Sequence, residues 1–169
     1  MKKILVLLAV AAGFATTANA QATASATATA VIISPITITK TVDMHFGNVA
    51  VGALAGTVVL DPAGTRTATG GVTLPAVAGT PAAAEFVVSG EATYTYDIFL
   101  PSSAVTITSG SNTMTVDQFT SNPTTSGTLS AGSPGSQTVN VGATLNVGAA
   151  QAAGTYVSGT PFDVTVNYN

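Results

Sequence analysis

Ile36-Thr37-Ile38-Thr39-Lys40-Thr41-Val42-Asp43-Met44-His45-Phe46 decides the fold class: its even positions are apolar and its odd positions polar, with Lys40 the one break. Successive side chains of a strand point to opposite faces, so a period of two means a strand with one buried and one wet face. The same alternation runs upstream through Ala22, Ala24, Ala26, Ala28, Ala30 and Ile32, with Thr23, Ser25, Thr27 and Thr29 between them. Ser34-Pro35 interrupts it. Proline cannot donate to a ladder, so the pair is expected to separate an N-terminal arm, residues 21–34, from a folded body, residues 36–169.

Within the body, further strands are expected at 56–60, 71–76, 84–89, 92–100, 104–108, 113–119, 137–141, 144–147 and 162–168. Turn chemistry lies between them: Asp61-Pro62-Ala63-Gly64, Gly70-Gly71, Ser109-Gly110-Ser111-Asn112, Ser121-Asn122-Pro123 and Ser133-Pro134-Gly135. Apolar residues nowhere recur at helical spacing over a dozen positions, and the alanine clusters near residues 81–84 and 149–153 are a turn long at most. The pattern predicts an all-β chain, an immunoglobulin-like antiparallel β-sandwich with a strand-forming N-terminal arm.

Composition removes several classes of function. With 46% hydrophobic and 7% charged residues the chain is no disordered tail, and with no cysteine it is no disulfide scaffold. Lys2 and Lys3 before the apolar run 4–12, closed by Ala18-Asn19-Ala20, read as a secretory leader of residues 1–20. That run is too short to cross a bilayer and no later one is longer, so no integral membrane segment is expected after cleavage. Past the leader only Lys40 and Arg66 oppose seven carboxylates, a net charge of −5. Such a surface does not attract phosphate, so nucleic acid is not an expected partner.

The search for reacting groups is mostly negative. The single histidine, His45, sits on the polar face of a predicted strand, which suits an exposed or capping role. Phosphate-cradling loops, nucleophile elbows and metal-ligand spacings are missing from the sequence, so no catalytic residue, metal or cofactor is expected. Paired carboxylates are the one enzymatic option left open, since Glu85 with Glu91, or Asp97 with Asp117, could face each other across a sheet as glycoside hydrolysis needs, yet the chain has no tryptophan platform. Solvated acids at strand ends are the stronger explanation of them. The 29 threonines give hydroxylated strand faces of high β-propensity, suited to lateral packing or simply to ordinary exposed strands.

The two ends of the chain carry the functional signal. Phe162, Val164, Val166 and Tyr168 alternate with Asp163, Thr165 and Asn167 in the final predicted strand. They are read as an acceptor edge, and the arm residues Ala22, Ala24, Ala26, Ala28, Ala30 and Ile32 as the donor that covers it, in the same molecule or in the next. Between molecules the contact is head-to-tail and does not close, so it builds a fibre. The alternative is a monomeric secreted adhesin or carbohydrate-binding module that uses loops 109–112 and 121–127.

The runs Ile36-Thr37-Ile38-Thr39-Lys40 to Phe46-Gly47-Asn48, Gly56-Thr57-Val58-Val59-Leu60-Asp61-Pro62-Ala63-Gly64-Thr65-Arg66, Gly70-Gly71-Val72, Val141-Gly142-Ala143-Thr144-Leu145 and Gln151-Ala152-Ala153-Gly154-Thr155-Tyr156 resemble the secreted bacterial family catalogued as domain of unknown function 4402. In layout the chain is similar to chaperone–usher pilins and spore-coat-U-type proteins. That resemblance implies a cell-surface or fimbrium-like structural subunit that passes through the periplasm. It also implies self-association or related surface subunits as partners, with a periplasmic chaperone and an outer-membrane usher.

Overall fold

The computed structural model describes residues 20–169, and the leader read over residues 1–20 lies outside them but for Ala20. The chain divides after Ile32 into two units. Of the first, residues 20–32 are described: they carry no strand and are exposed throughout. The second unit, Ile33–Asn169, holds eleven strands.

These are β1 (Thr37–Val42), β2 (Ala50–Leu60), β3 (Arg66–Thr73), β4 (Ala84–Gly90), β5 (Thr95–Phe99), β6 (Val105–Ser109), β7 (Asn112–Asn122), β8 (Ser126–Thr128), β9 (Gly135–Val147), β10 (Val157–Ser158) and β11 (Thr165–Tyr168). Every pairing is antiparallel. One sheet runs β1-β4-β9-β7-β6-β10, with β2 also on β9 and β3 on β2; the other runs β11-β5-β8. The chain is an all-β antiparallel sandwich, as the alternation predicts. Among the described residues no helix is long and apolar enough to cross a membrane.

Alternation places the core. In β4, residues Ala84, Phe86 and Val88 point inward while Glu85, Val87 and Ser89 are half-buried, and β5 buries only Tyr96 and Ile98. Two apolar clusters result. The first joins Ala84, Phe86, Val88, Val139 and Val141 of the large sheet to Tyr96, Ile98, Leu129, Val164 and Val166 on the three-stranded side. The second gathers Val58, Val72, Val116, Ala143, Leu145 and Val147, all from the large sheet, and is faced by Met44, Phe46 and Val49 of the crossing between β1 and β2 and by Val51 near the start of β2. No strand of the smaller sheet contributes to it.

Several predicted elements are corrected. The segments 137–141 and 144–147 are one strand, β9, since Gly142 continues the ladder opposite Thr120. A Cβ there would lie 2.2 Å from the Leu60 carbonyl oxygen, so glycine is required by close packing and does not mark a turn. Gly70-Gly71 is likewise no turn but part of β3, where Gly71 lies under the Leu54 carbonyl at a β2 bulge. The Asp61–Gly64 turn is present: the Gly64 amide donates to the Asp61 carbonyl at 2.9 Å and the Thr65 amide to Asp61 Oδ1 at 2.8 Å. The terminal strand is shorter than expected, Thr165–Tyr168, and its upstream half carries no strand pairing. Ser34, read as the arm's last residue, is tied to the body by hydrogen bonds.

Candidate functional site

β11 pairs with β5 on one side only, Thr165 with Phe99 through Tyr168 with Tyr96, and is the edge of its sheet. Its apolar residues do not form the open surface that the sequence suggests. Val164 and Val166 are buried in the first core cluster, with Phe162 and Tyr168 half-buried against it. The inward period-two face is satisfied within the molecule, so what β11 leaves free is its second main-chain edge.

The open apolar surface lies beside the upstream end of β11. A groove of about 1300 Å³ runs between the crossing from β1 to β2 and the residues leading into β11. Phe86, Val116, Leu145, Val147 and Val164, core residues of both clusters, form its floor. Met44, Phe46, Ile107 and Met114 form its walls, half-buried. Lys40, Asp43, His45, Asn48, Gln151 and Asp163 stand at its rim. Two of the chain's three methionines therefore line it. That usage was the available sequence signal, since the flexible thioether suits surfaces that must adapt to an occupant.

Local chemistry holds these walls in place. His45 exchanges two backbone hydrogen bonds with Ala82, each 2.8 Å, and its Nδ1 accepts from the Gly47 amide at 2.8 Å. His45 is exposed and its ring caps the Gly47 amide, the role the sequence suggested, though it lies past the end of β1 in an isolated bridge to Ala82. Arg66, on β3, donates from one guanidinium nitrogen to the carbonyls of Phe46 (2.6 Å) and Asn48 (2.9 Å). Gly47, at φ 70°, lies against the Ala78 carbonyl and this guanidinium, where a Cβ would collide. On the opposite wall Gln151 donates to the Tyr156 hydroxyl at 2.9 Å, which donates to the Ala152 carbonyl at 2.8 Å. Lys40 and Asp43 pair at 2.6 Å on the exposed rim, a pairing that contributes little.

At the other end of β11 a second arrangement fixes the root of the arm. The Tyr168 hydroxyl accepts from the Glu91 amide at 2.7 Å and donates to the Ser34 carbonyl at 2.9 Å, while the Ser34 amide donates to a Glu91 carboxylate oxygen at 2.9 Å. Gly90 leaves room for it: a Cβ there would lie 2.1 Å from the Tyr168 hydroxyl. The Tyr94 ring meets the Tyr168 ring edge-on, centroids 5.7 Å apart.

The carboxylates considered for catalysis are not brought together in either proposed pair. Glu85 accepts from the Thr41 hydroxyl at 2.8 Å near one end of β4, while Glu91 follows the other end. Asp97 faces outward on β5 and Asp117 belongs to β7 of the other sheet. Among the described residues no group of three or more His, Asp or Glu gathers as a metal site. Tyr96 is wholly buried, and that burial pushes its phenol up to about 12. Its hydroxyl donates to Gln137 Oε1 at 2.7 Å, which also accepts the Thr128 amide, tying the two sheets together. Of the loops considered for ligand binding, 109–112 is the β6–β7 hairpin turn, and 121–127 holds the end of β7 and the start of β8.

A family model described as Domain of unknown function (DUF4402) matches residues 36–168, from the residue before β1 to the last residue of β11. No curated protein and no solved structure matches the chain.

Proposed function

The chain belongs to the DUF4402 family, and we propose that it is a secreted structural subunit of the cell surface that assembles by β-strand addition, its residues 22–32 supplying the added strand. The observation that carries this reading is the coincidence of an unpaired strand edge with an apolar groove of about 1300 Å³ floored by core residues. A bare edge presents main-chain donors and acceptors to an incoming strand, and the groove offers its alternate side chains a place to be buried. The arm fits both requirements. It alternates small apolar and hydroxylated residues, carries no charge between Gln21 and Ile33, and ends in Val31 and Ile32, which are 83% and 97% exposed.

The test compares the full chain with a chain lacking residues 21–32 by size-exclusion chromatography with light scattering. The full chain is expected to form heat-stable oligomers and the shortened one to remain monomeric. A shortened chain that still polymerises overturns the reading.

A further inference from the structure

The outer face of the three-stranded sheet is a surface that strand addition leaves free. We propose that it binds a neutral pyranose sugar of galactose configuration, with Phe99 as the stacking platform and Asp97 and Asn167 as its hydrogen-bonding partners.

Register assembles the site. On β5 Tyr96 and Ile98 are buried, so Asp97 and Phe99 point outward. β11 lies beside them with Thr165 opposite Phe99 and Asn167 opposite Asp97, and β8 puts Ser126 opposite Asp97 on the other side. All five outward residues are exposed. Directly opposed residues have Cβ atoms about 5 Å apart, and Asp97 and Phe99, two positions apart on one face, are separated by about 7 Å. An aromatic ring, a carboxylate, an amide and two hydroxyls therefore stand within the reach of one sugar unit. The strands beneath them are fixed: Tyr96 is bonded to Gln137 of the large sheet, and Ile98, Val164 and Val166 belong to the first core cluster. The groups are thus in place before a ligand arrives, which lowers the cost of binding it.

Two features separate this face from an ordinary wet strand surface. Phe99 is 51% exposed, and it is the only exposed phenylalanine among the described residues. A ring set among polar neighbours keeps half its apolar area in water, and that unfavourable exposure is relieved by a further contact. Asp97, for its part, has no cation to pair with. Past residue 20 the basic side chains are Lys40 and Arg66, on β1 and β3 of the other sheet. Both are engaged there, Lys40 with Asp43 and Arg66 with the carbonyls of Phe46 and Asn48. An ionised carboxylate only accepts, so the donors it suits are hydroxyl groups brought by a ligand.

This set of groups defines the occupant. It offers O–H donors to the carboxylate, accepts from the Asn167 amide, and lays C–H bonds on the negative face of the ring. A pyranose does all three. The galactose configuration suits a single ring best, because its axial 4-hydroxyl leaves the C–H bonds of C3, C4 and C5 together on one side. An acidic sugar is disfavoured: the one charge in the site is negative, and past the leader two cations face seven carboxylates. A single sugar unit on one ring and a few hydrogen bonds binds in the millimolar range. Side chains stand perpendicular to the sheet while strand addition uses the main-chain edge of β11, so each subunit of an oligomer would keep its site and the sites would act together on a polysaccharide.

Saturation-transfer NMR on the full chain with methyl β-D-galactopyranoside tests the proposal. Irradiating the protein is expected to saturate H3, H4 and H5 of the sugar most strongly. Phe99→Leu keeps an apolar side chain without the ring and is expected to cut the transfer about tenfold, while Phe99→Tyr retains it. Asp97→Ala is expected to cut it about fivefold. Absence of transfer at up to about 50 mM sugar overturns the proposal, as does an unchanged signal from Phe99→Leu. An equal response from methyl β-D-glucopyranoside, whose C–H bonds are divided between its two faces, overturns the galactose configuration. An equal response from N-acetylneuraminic acid overturns the preference for a neutral sugar. Strand addition stands or falls separately from all of these results.

Discussion

Replacing Ala26 by leucine tests whether the arm is read with a period of two by an acceptor groove. In an added strand the even positions of the arm face the groove, which at about 1300 Å³ is far from filled by five alanine methyl groups. Leucine at position 26 adds three carbon groups, and at ~0.8 kcal/mol for each buried methylene the gain is about 2.4 kcal/mol. Fixing the leucine rotamer costs about 0.5–1 kcal/mol, which leaves roughly 1.5–2 kcal/mol, an association about 10–30-fold tighter. Thr27→Leu adds a side chain of similar size one residue along, on the outward face, and is expected to change association by less than ~0.5 kcal/mol. Sedimentation equilibrium over a dilution series of each full-length variant gives the comparison. Equal strengthening by both substitutions, or strengthening by Thr27→Leu alone, refutes the alternating insertion on which the reasoning depends.

Other consequences concern the sandwich itself. Gly142→Ala forces a Cβ against the Leu60 carbonyl and is expected to cost at least ~1–3 kcal/mol, lowering Tm by about 2–4 °C for each kcal/mol in a scanning calorimeter. Arg66→Met strips the Phe46 and Asn48 carbonyls of a charged donor; a loss of about 1.5–3 kcal/mol in chemical denaturation is expected, with faster amide exchange confined first to residues 44–51. Alkaline pH destabilises the fold through Tyr96. Its phenol ionises near 10 when unfolded and is held up to about 12 by burial, so the unfolded state loses its proton first. Stability is therefore complete below about pH 10 and is lost as pH climbs toward 12. Tyr96→Phe should flatten that decline in denaturant midpoints while lowering stability at neutral pH through the lost bond to Gln137.

How much of this was legible in the sequence depends on the length scale of each feature. The alternation from Ile36 to Phe46 announced β1 and the apolar side of the crossing, because two-residue periodicity records a local fact, the facing of neighbouring side chains. Val164 and Val166 were recognised as one apolar face for the same reason. Strands β8 and β10, three and two residues long, have too few positions to alternate and are defined by their partners Asp97 and Ile107. Gly142 and Gly71 misled because glycine marks both a turn and a close backbone approach. The Leu60 and Leu54 carbonyls that decide between these are brought in by tertiary structure. The groove could not be read locally either: its lining spans Ile38 to Val164, and the sequence placed the open surface on β11's side chains when it lies next to them. The contact of Tyr168 with Ser34 joins residues 134 positions apart. Alternation marked the tyrosine as apolar-facing and was silent on its hydroxyl.

Hydrogen–deuterium exchange on the assembled full chain examines the central claim at its source. If residues 22–32 of one copy are hydrogen-bonded into the next, amides between Ala22 and Ile32 will exchange orders of magnitude more slowly than in the free peptide of the same sequence, and the outer edge of β11 will be protected with them. Exchange of those amides at free-peptide rates within intact oligomers would contradict it.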